Sequence, residues 1–332
     1  MRPFGYTRVD DAPGAVRLST GPVQGNAQFI AGGTTQLDLM KLGTIAPAAL
    51  IDINALDAQH GRIDADAQGL HLGALVRMAQ AAADPRVQHD YPVLAQSLTL
   101  AASPQLRNMA SLGGNVLQRT RCEYFRDPVW PSCNKRVPGS GCAALDGVNR
   151  KHAVLGVSDR CIAAYPGDFA VALTALGATV ETLGSQGPRT LPIEALHTDA
   201  ERPDIETSLE PGELITGFVV PAGAWTRRSL YLKIRDRQSY AFALASTAVA
   251  LDLDGDRVRT ARIALGGLAY RPWRATEAEA ILTGQPLTET SAMAAAQAAF
   301  ATARPRRENA AKVELGRRML VRALLQAGSM AA

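Results

Sequence analysis

The sequence predicts an α+β protein of about two domains, and three observations carry that expectation. The chain has 332 residues, 47% of them hydrophobic and 20% charged, which suffices for more than one buried core. Short strand patterns and helical patterns alternate up to residue 221. Beyond Pro221-Ala222-Gly223-Ala224 the order changes to strands first and helices last, so this Pro/Gly-bearing stretch is the predicted domain boundary.

Taken in order, residues 27–30 read as a short strand, broken by Gly32-Gly33 before TTQLDLMKLG, which has helical spacing at Leu37, Met40 and Lys41. Residues 49–53 form a second buried strand, and RIDADAQGLHLGAL alternates as a hairpin turning near Gln68-Gly69. Asp84-Pro85 starts a helix, and residues 91–102 have the periodicity of another that ends at Ser103-Pro104. YPGDFAVALTALG predicts a helix capped by Asp168 and stopped at Gly177, because a carboxylate accepts the free amides of a first turn. ATVETLG and the segment before Pro192 suggest paired strands, and GELITGFVVP one more. Past the boundary, 229–235, 247–253 and 258–265 read as strands, the last two joined at Asp254-Gly255-Asp256. Helices over 276–282, 291–303 and 309–326 close the chain, with Lys312, Arg317, Arg318 and Arg322 read as a solvated face.

Composition narrows the function. The net charge of +4 is scattered and aromatics are 5%, which gives little basis for binding nucleic acid. MRPFGYTRVDDAPG has no apolar segment of a signal peptide, and stretches such as AFALASTAVAL fall short of a membrane span, so a soluble chain with no export signal of its own is expected. The histidines at 60, 71, 89, 152 and 197 lie apart, and no serine–histidine–acid arrangement is legible. A hydrolase is not indicated.

Chemistry is concentrated in three stretches. In FIAGGTTQLDL, residues 29–39, two glycines between strand and helix leave amides free to face phosphate oxygens, although such a turn is also ordinary punctuation. ASLGGNVL, residues 110–117, sets hydroxyl, bare backbone and carboxamide in sequence; a bulge or tight turn would look the same. Together they suit a dinucleotide diphosphate held from two sides. The third stretch holds all four cysteines, Cys122, Cys133, Cys142 and Cys161, with 10, 8 and 18 residues between them. Structural zinc normally shows a tight Cys-x-x-Cys pair, and disulfide scaffolds are usually short, so a cluster seated in a long loop is favoured over zinc, free cysteines or disulfides. Arg119, Arg121, Arg126, Lys135, Arg136, Arg150, Lys151 and Arg160 surround them and are expected to offset an anionic cluster. Asp168 has a plain alternative as a helix cap, and Lys233 as an exposed strand edge.

AGGTTQLDL, ASPQLRNMASLGGN, YPGDFAVAL, GELITGFVVP and YLKIRDRQSYAFAL come in an order and spacing that resembles the FAD-binding subunits of the xanthine dehydrogenase and aldehyde oxidoreductase family, the molybdenum hydroxylases. The cysteine-bearing segment is similar to that of the periplasmic aldehyde oxidoreductase branch, whose flavoprotein subunit holds an additional [4Fe-4S] cluster. The resemblance implies a two-part PCMH-type FAD-binding domain over 1–221, with an iron–sulfur insertion at 119–161, then a smaller α+β domain over 222–332 with a three-stranded sheet and helices. It implies Ile30, Ala31, Gly32, Gly33, Thr34, Thr35 and Gln36 around the FAD diphosphate. Ser103, Arg107, Ser111, Gly114, Asn115, Arg119 and Thr120 would form a second wall, Asp168 would hold the ribose or adenine end, and Ile215 and Lys233 would lie near the flavin. Thr35, Ser111 and Gly167 stand where the family often has Asp or Asn, Thr, and Ser. The four cysteines would ligate the cluster. Implied partners are a molybdopterin-binding large subunit, a [2Fe-2S] small subunit and an external electron acceptor. The implied compartment is the periplasm, reached as a passenger, or else the cytoplasm. A zinc-stabilised binding module and a self-sufficient flavin oxidase are the rival expectations.

Overall fold

The computed structural model describes residues 1–21 and 26–331. Strands β1 (Gly5–Arg8), β2 (Ala27–Ile30) and β3 (Ala49–Asp52) form a parallel sheet in the order β1-β3-β2. The central strand is buried at every position, as parallel strands covered on both faces usually are. Helix Ala12–Thr20 follows β1 and starts at Asp11, whose carboxylate accepts from the Gly14 amide at 2.5 Å. The expected strand–turn–helix after residue 27 is present, with its helix at Gln36–Lys41.

A second sheet is antiparallel. It contains β4 (Ile63–Ala65), β5 (Gly69–Gly73), β6 (Thr179–Gly184), β7 (Gly187–Pro192) and β8 (Leu214–Pro221), in the order β4-β5-β8-β6-β7. Between β5 and the cysteines the chain makes a string of short helices at Met78–Ala83, Pro85–Asp90, Pro92–Thr99, Pro104–Met109 and Leu112–Val116. Helix Asp168–Leu176, buried along all 9 residues, packs with them into one core. It stops at Gly177 as expected, in the left-handed conformation at φ 66°. Its cap is Gly167, however, and the Asp168 side chain makes no capping bond; the carboxylate is committed elsewhere.

The third sheet contains β9 (Ser229–Ile234), β10 (Ala245–Asp254), β11 (Arg257–Gly266) and β12 (Trp273–Arg274), in the order β12-β11-β10-β9. The expectation was three strands, and the two-residue edge strand β12 is an addition too short to leave a pattern. Helices Thr276–Leu282, Glu289–Ala299 and Ala311–Gly328 cover one face, against Val249, Leu251, Ile263 and Leu265. The other face turns Tyr231, Ala248, Ala250 and Ala264 into the core of the preceding residues. Lys312 is no solvated charge: at 4% exposure its Nζ donates to the carbonyls of Lys151, His152 and Gly267 at 3.0, 2.9 and 2.6 Å. Burial pushes its pKa down to about 7, although three carbonyls match the three donors of the ammonium form.

Candidate cofactor sites

The first wall grows from the carboxyl end of β2. Ile30 is buried beneath the turn, Ala31 to Thr35 form it, and Gln36 begins the helix. Gly33 has φ +70°, a conformation that side chains disfavour. The carbonyls of Gly33 and Thr35 accept from the Leu37 and Leu39 amides at 3.0 and 3.1 Å. Among the described residues, no backbone carbonyl accepts from the amides of Gly32, Gly33, Thr34 or Thr35. A run of unspent donors around a left-handed glycine makes an anion-binding concavity.

The second wall works differently. Ser103 caps helix Pro104–Met109 through the Leu106 amide at 3.4 Å, and Arg107 donates to the Ala101 carbonyl at 2.7 Å. Ser111 starts the helix Leu112–Val116, where a bulge or turn was an alternative, and accepts from the Gly114 amide at 3.3 Å. The amides of Leu112, Gly113 and Asn115 go to Val76, Ala74 and Ser111 carbonyls. The expected bare backbone is therefore spent, and what remains is the Asn115 side chain. Its Nδ2 lies 3.3 Å from the Met78 sulfur, while its Oδ1 is buried without a partner among the described residues. An orphaned acceptor costs roughly 1–3 kcal/mol, which a ligand N–H or O–H would recover.

The walls touch. A Cβ at Gly32 would stand 1.9 Å from the Met109 carbonyl oxygen. That same oxygen accepts from Arg77 Nη1 at 2.9 Å, Arg77 Nη2 donates to Asn54 Oδ1 at 2.9 Å, and Asn54 Nδ2 donates to the Ala31 carbonyl at 3.1 Å. Sequence reasoning missed Arg77 and Asn54, because neither sits in a glycine motif; the polar Asn54 just past a buried strand was the one available signal.

Asp168 and Lys233, expected at opposite ends of the cofactor, are joined at 2.7 Å, with side chains 4% and 1% exposed. An extended dinucleotide cannot have them at its two ends, so they belong to one region. Tyr231 donates to the other Asp168 oxygen at 2.7 Å, and Lys233 and Arg235 both donate to the Leu100 carbonyl, at 3.1 and 3.0 Å. Burial raises the Asp168 pKa above its ordinary value, against the pull of Lys233 and Tyr231. Lys233 is thus not an exposed strand edge. Ile215 is buried on β8, beside Thr216, whose carbonyl accepts from Ala74 at 3.0 Å. Arg119 and Thr120 are built into the base of the cysteine loop: Arg119 pairs with Glu206 and lies 4.5 Å over the Phe125 ring, and Thr120 donates to the Ala164 carbonyl at 2.9 Å.

The four cysteines are free and converge. Cys122 packs with Leu39, Phe125 and Cys133, with Cys161 and Tyr270, and with Ala144 and Ile162 beside Cys142. Cys133 and Cys142 also pair as an isolated antiparallel bridge. Backbone amides lie near the sulfurs, those of Phe125 and Tyr124 by Cys122, of Ala144, Ile162 and Leu145 by Cys142 and of Ala163 by Cys161, while the Phe125 and Leu145 amides donate to the Cys122 and Cys142 carbonyls at 3.2 Å. The Cys161 thiol, followed by these amides, brings Cys142 down to about 6, whereas burial pushes Cys122 up to about 12. Among the described residues, no three His, Cys, Asp or Glu side chains close on a point that one metal ion could occupy, unlike a zinc site.

The expected cationic shell is mostly spent. Arg121 and Arg126 bind Asp38 at 3.1 and 2.9 Å, and Arg150 binds Asp236 at 2.6 Å. Lys151 and Arg160 lie 3.9 Å from Glu123 and Glu201. Arg136 donates to the carbonyls of Tyr124, Phe125 and Asp127 at 2.7, 2.9 and 2.9 Å, and to that of Trp130. Lys135 does act on Cys161, though it also donates to Glu206 at 2.5 Å and the Tyr270 hydroxyl at 2.7 Å. The Asp38 pairs dock the loop directly on the helix that follows the glycine turn.

A turn with unspent amides, a facing wall with an unmet acceptor and a strand-first carboxy-terminal sheet suit a dinucleotide-binding subunit. The description "FAD binding domain in molybdopterin dehydrogenase" matches residues 2–223, and "CO dehydrogenase flavoprotein C-terminal domain" matches 230–329. The chain belongs to this family of FAD-binding oxidoreductase subunits. It is 46% identical over 333 residues, 100% of both chains, to the aldehyde oxidoreductase FAD-binding subunit PaoB of Escherichia coli K12. It is 25% identical over 286 residues to the glyceraldehyde dehydrogenase medium chain of Sulfolobus acidocaldarius, covering 86% of this chain and 83% of the relative. Its fold matches the solved carbon monoxide dehydrogenase of Hydrogenophaga pseudoflava with a TM-score of 0.78 and 27% identity over 100% of both chains. Among the described residues, no helix is long and apolar enough to cross a membrane.

Proposed function

We propose that this chain is the flavoprotein subunit of a molybdenum-dependent aldehyde oxidoreductase complex, moving electrons from iron–sulfur centres through FAD to an external acceptor. The observation that carries this reading is the full-length 46% identity to a relative called an aldehyde oxidoreductase FAD-binding subunit. On this reading residues 1–221 are the FAD-binding domain, with the insertion at 119–161, and 222–332 the carboxy-terminal domain. Ile30 to Gln36 hold the diphosphate, a role supported by the unspent amides of Gly32 to Thr35. Ser103, Arg107, Ser111, Gly114 and Asn115 form the facing wall, with Asn115 Oδ1 accepting from the cofactor. Ile215 and the Asp168–Lys233 pair bound one further region of the slot, and Arg119 and Thr120 back it from the cysteine side. FAD, when bound, supplies the redox chemistry, and the chain supplies orientation and local charge.

Cys122, Cys133, Cys142 and Cys161 hold a [4Fe-4S] cluster. Amides near the sulfurs support this, since such dipoles stabilise thiolates and tune clusters. Cluster ligands sit on separate irons and are spread wider than the ligands of one ion, which accords with the lack of a single-ion site. The partners are a molybdopterin-binding large subunit, where the aldehyde reacts, and a [2Fe-2S] small subunit; the complex is periplasmic, with this chain as its passenger. The test is anaerobic purification of the chain with whatever accompanies it, followed by flavin, iron, zinc and molybdenum analysis. FAD and iron are expected, with aldehyde turnover only when the molybdenum subunit is present. Zinc without iron would refute the cluster, and turnover by the chain alone would refute the subunit role.

A further inference from the structure

We infer that His152 is a positioning residue for the cysteine centre: its imidazole donates to the Cys122 sulfur and makes the cluster easier to reduce. The inference rests on the cluster reading above. His152 Nε2 lies 3.2 Å from Cys122 Sγ. The residue is 6% exposed and, among the described residues, its Nδ1 has no partner, so the sulfur is the polar contact of the ring. With a proton on Nε2 the pair is a hydrogen bond; with the proton on Nδ1, two lone pairs would face each other.

The ring is held where it stands. The His152 amide donates to the Asn149 carbonyl at 2.9 Å, and the His152 carbonyl accepts from Lys312 Nζ at 2.9 Å and Asn309 Nδ2 at 3.4 Å. The next residue is fixed on both sides, with the Ala153 amide on Ile162 at 2.9 Å and its carbonyl on Asn309 at 3.0 Å. Tyr124 flanks the imidazole with centroids 6.1 Å apart. The carboxy-terminal segment therefore aims a side-chain donor at one ligand. An added electron increases negative charge on the cluster sulfurs, and a fixed N–H beside one of them stabilises that form.

The test uses the full chain, prepared anaerobically, with FAD content as the folding control and the cluster potential read by EPR-monitored titration. His152→Phe should keep full iron and FAD and lower the reduction equilibrium constant about tenfold, ~59 mV for a one-electron couple. His152→Gln, which restores an N–H donor, should recover most of that. Full iron with an unchanged potential in His152→Phe overturns the inference, as does loss of iron in both variants with FAD retained, which would make His152 a ligand. Independently of any variant, 15N-histidine labelling of the wild type should give a weak nitrogen coupling to the reduced cluster; none, or one of ligand strength, also overturns it. A wild-type chain without iron would fail the cluster reading before any variant is made.

Discussion

At Gly32 a hydrogen atom is all that separates the two walls of the proposed FAD slot, because a Cβ there would overlap the Met109 carbonyl. Gly32→Ala should therefore push the walls apart and yield folded protein with most of its FAD lost, checked by flavin content beside a thermal melt; full flavin would contradict the slot. Asp168→Asn leaves Lys233 charged in a dry site, which should cost about 3–5 kcal/mol in urea unfolding. Adding Lys233→Met should restore part of it, and a strictly additive double mutant would refute the coupling. Glu213 is buried, yet Thr182, Arg189 and the Glu210 amide hold its pKa below the ordinary glutamate value against the burial that raises it. A carboxyl with a depressed folded pKa stabilises above its unfolded pKa, about 4.3, and the gain fades as pH falls through the folded value. The stability gap between wild type and Glu213→Gln should thus be largest at neutral pH and shrink under acid. Asp168 shows why such sites were half-legible: Pro-Gly-Asp before an apolar run reads as a cap, and the lysine that claims the carboxylate is 65 residues away on another sheet.

The cysteine loop teaches the same lesson one level up. The number, spacing and place of its cysteines were legible, as was the helix beside it. What the spacing of the cysteines does not reveal is that the loop has apolar packing of its own. Phe125, Ala144, Val154, Leu155 and Ile162 are all 0–1% exposed. The second half is strapped by the segment before the last helix: the Asn149 and Glu308 amides bond each other's side chains, the Arg304 amide donates to Val154, and Arg306 pairs with Asp159 at 2.7 Å. Those partners lie about 150 residues downstream in a stretch with no sequence pattern of its own, so no local reading could find them. Cys133→Ser should remove most of the iron while amides in 149–159 stay protected from hydrogen exchange; loss of protection there would show that the metal orders the loop.

Across the whole molecule the break near residue 221 does not cleanly divide the cores: one face of the third sheet packs with the closing helices in a core of its own, and the other joins the core of the preceding residues. Tyr231, Ala248, Ala250 and Ala264 belong to the same buried cluster as Phe169 and Leu94. The Tyr231 amide donates to Gln96 Oε1 at 2.8 Å, and the Val93 amide to Ser229 Oγ at 3.3 Å. Residues 222–331 expressed alone would bare that face to water, so the fragment should be unstable or aggregate, and the intact chain should unfold in one cooperative transition. A soluble fragment with its own sharp melt would contradict this.

Arg136 gives the insertion a property that outlasts any single contact. Its guanidinium gathers carbonyls from Tyr124, Phe125, Asp127 and Trp130, so the chain winds round a resident cation much as other loops wind round calcium. On the proposed cluster reading, the cradle would be shaped before iron arrives. Maturation of the proposed cluster would then be a docking event with its own on-rate, uncoupled from chain collapse, and an iron-free pool could be charged late without passing through a denatured intermediate.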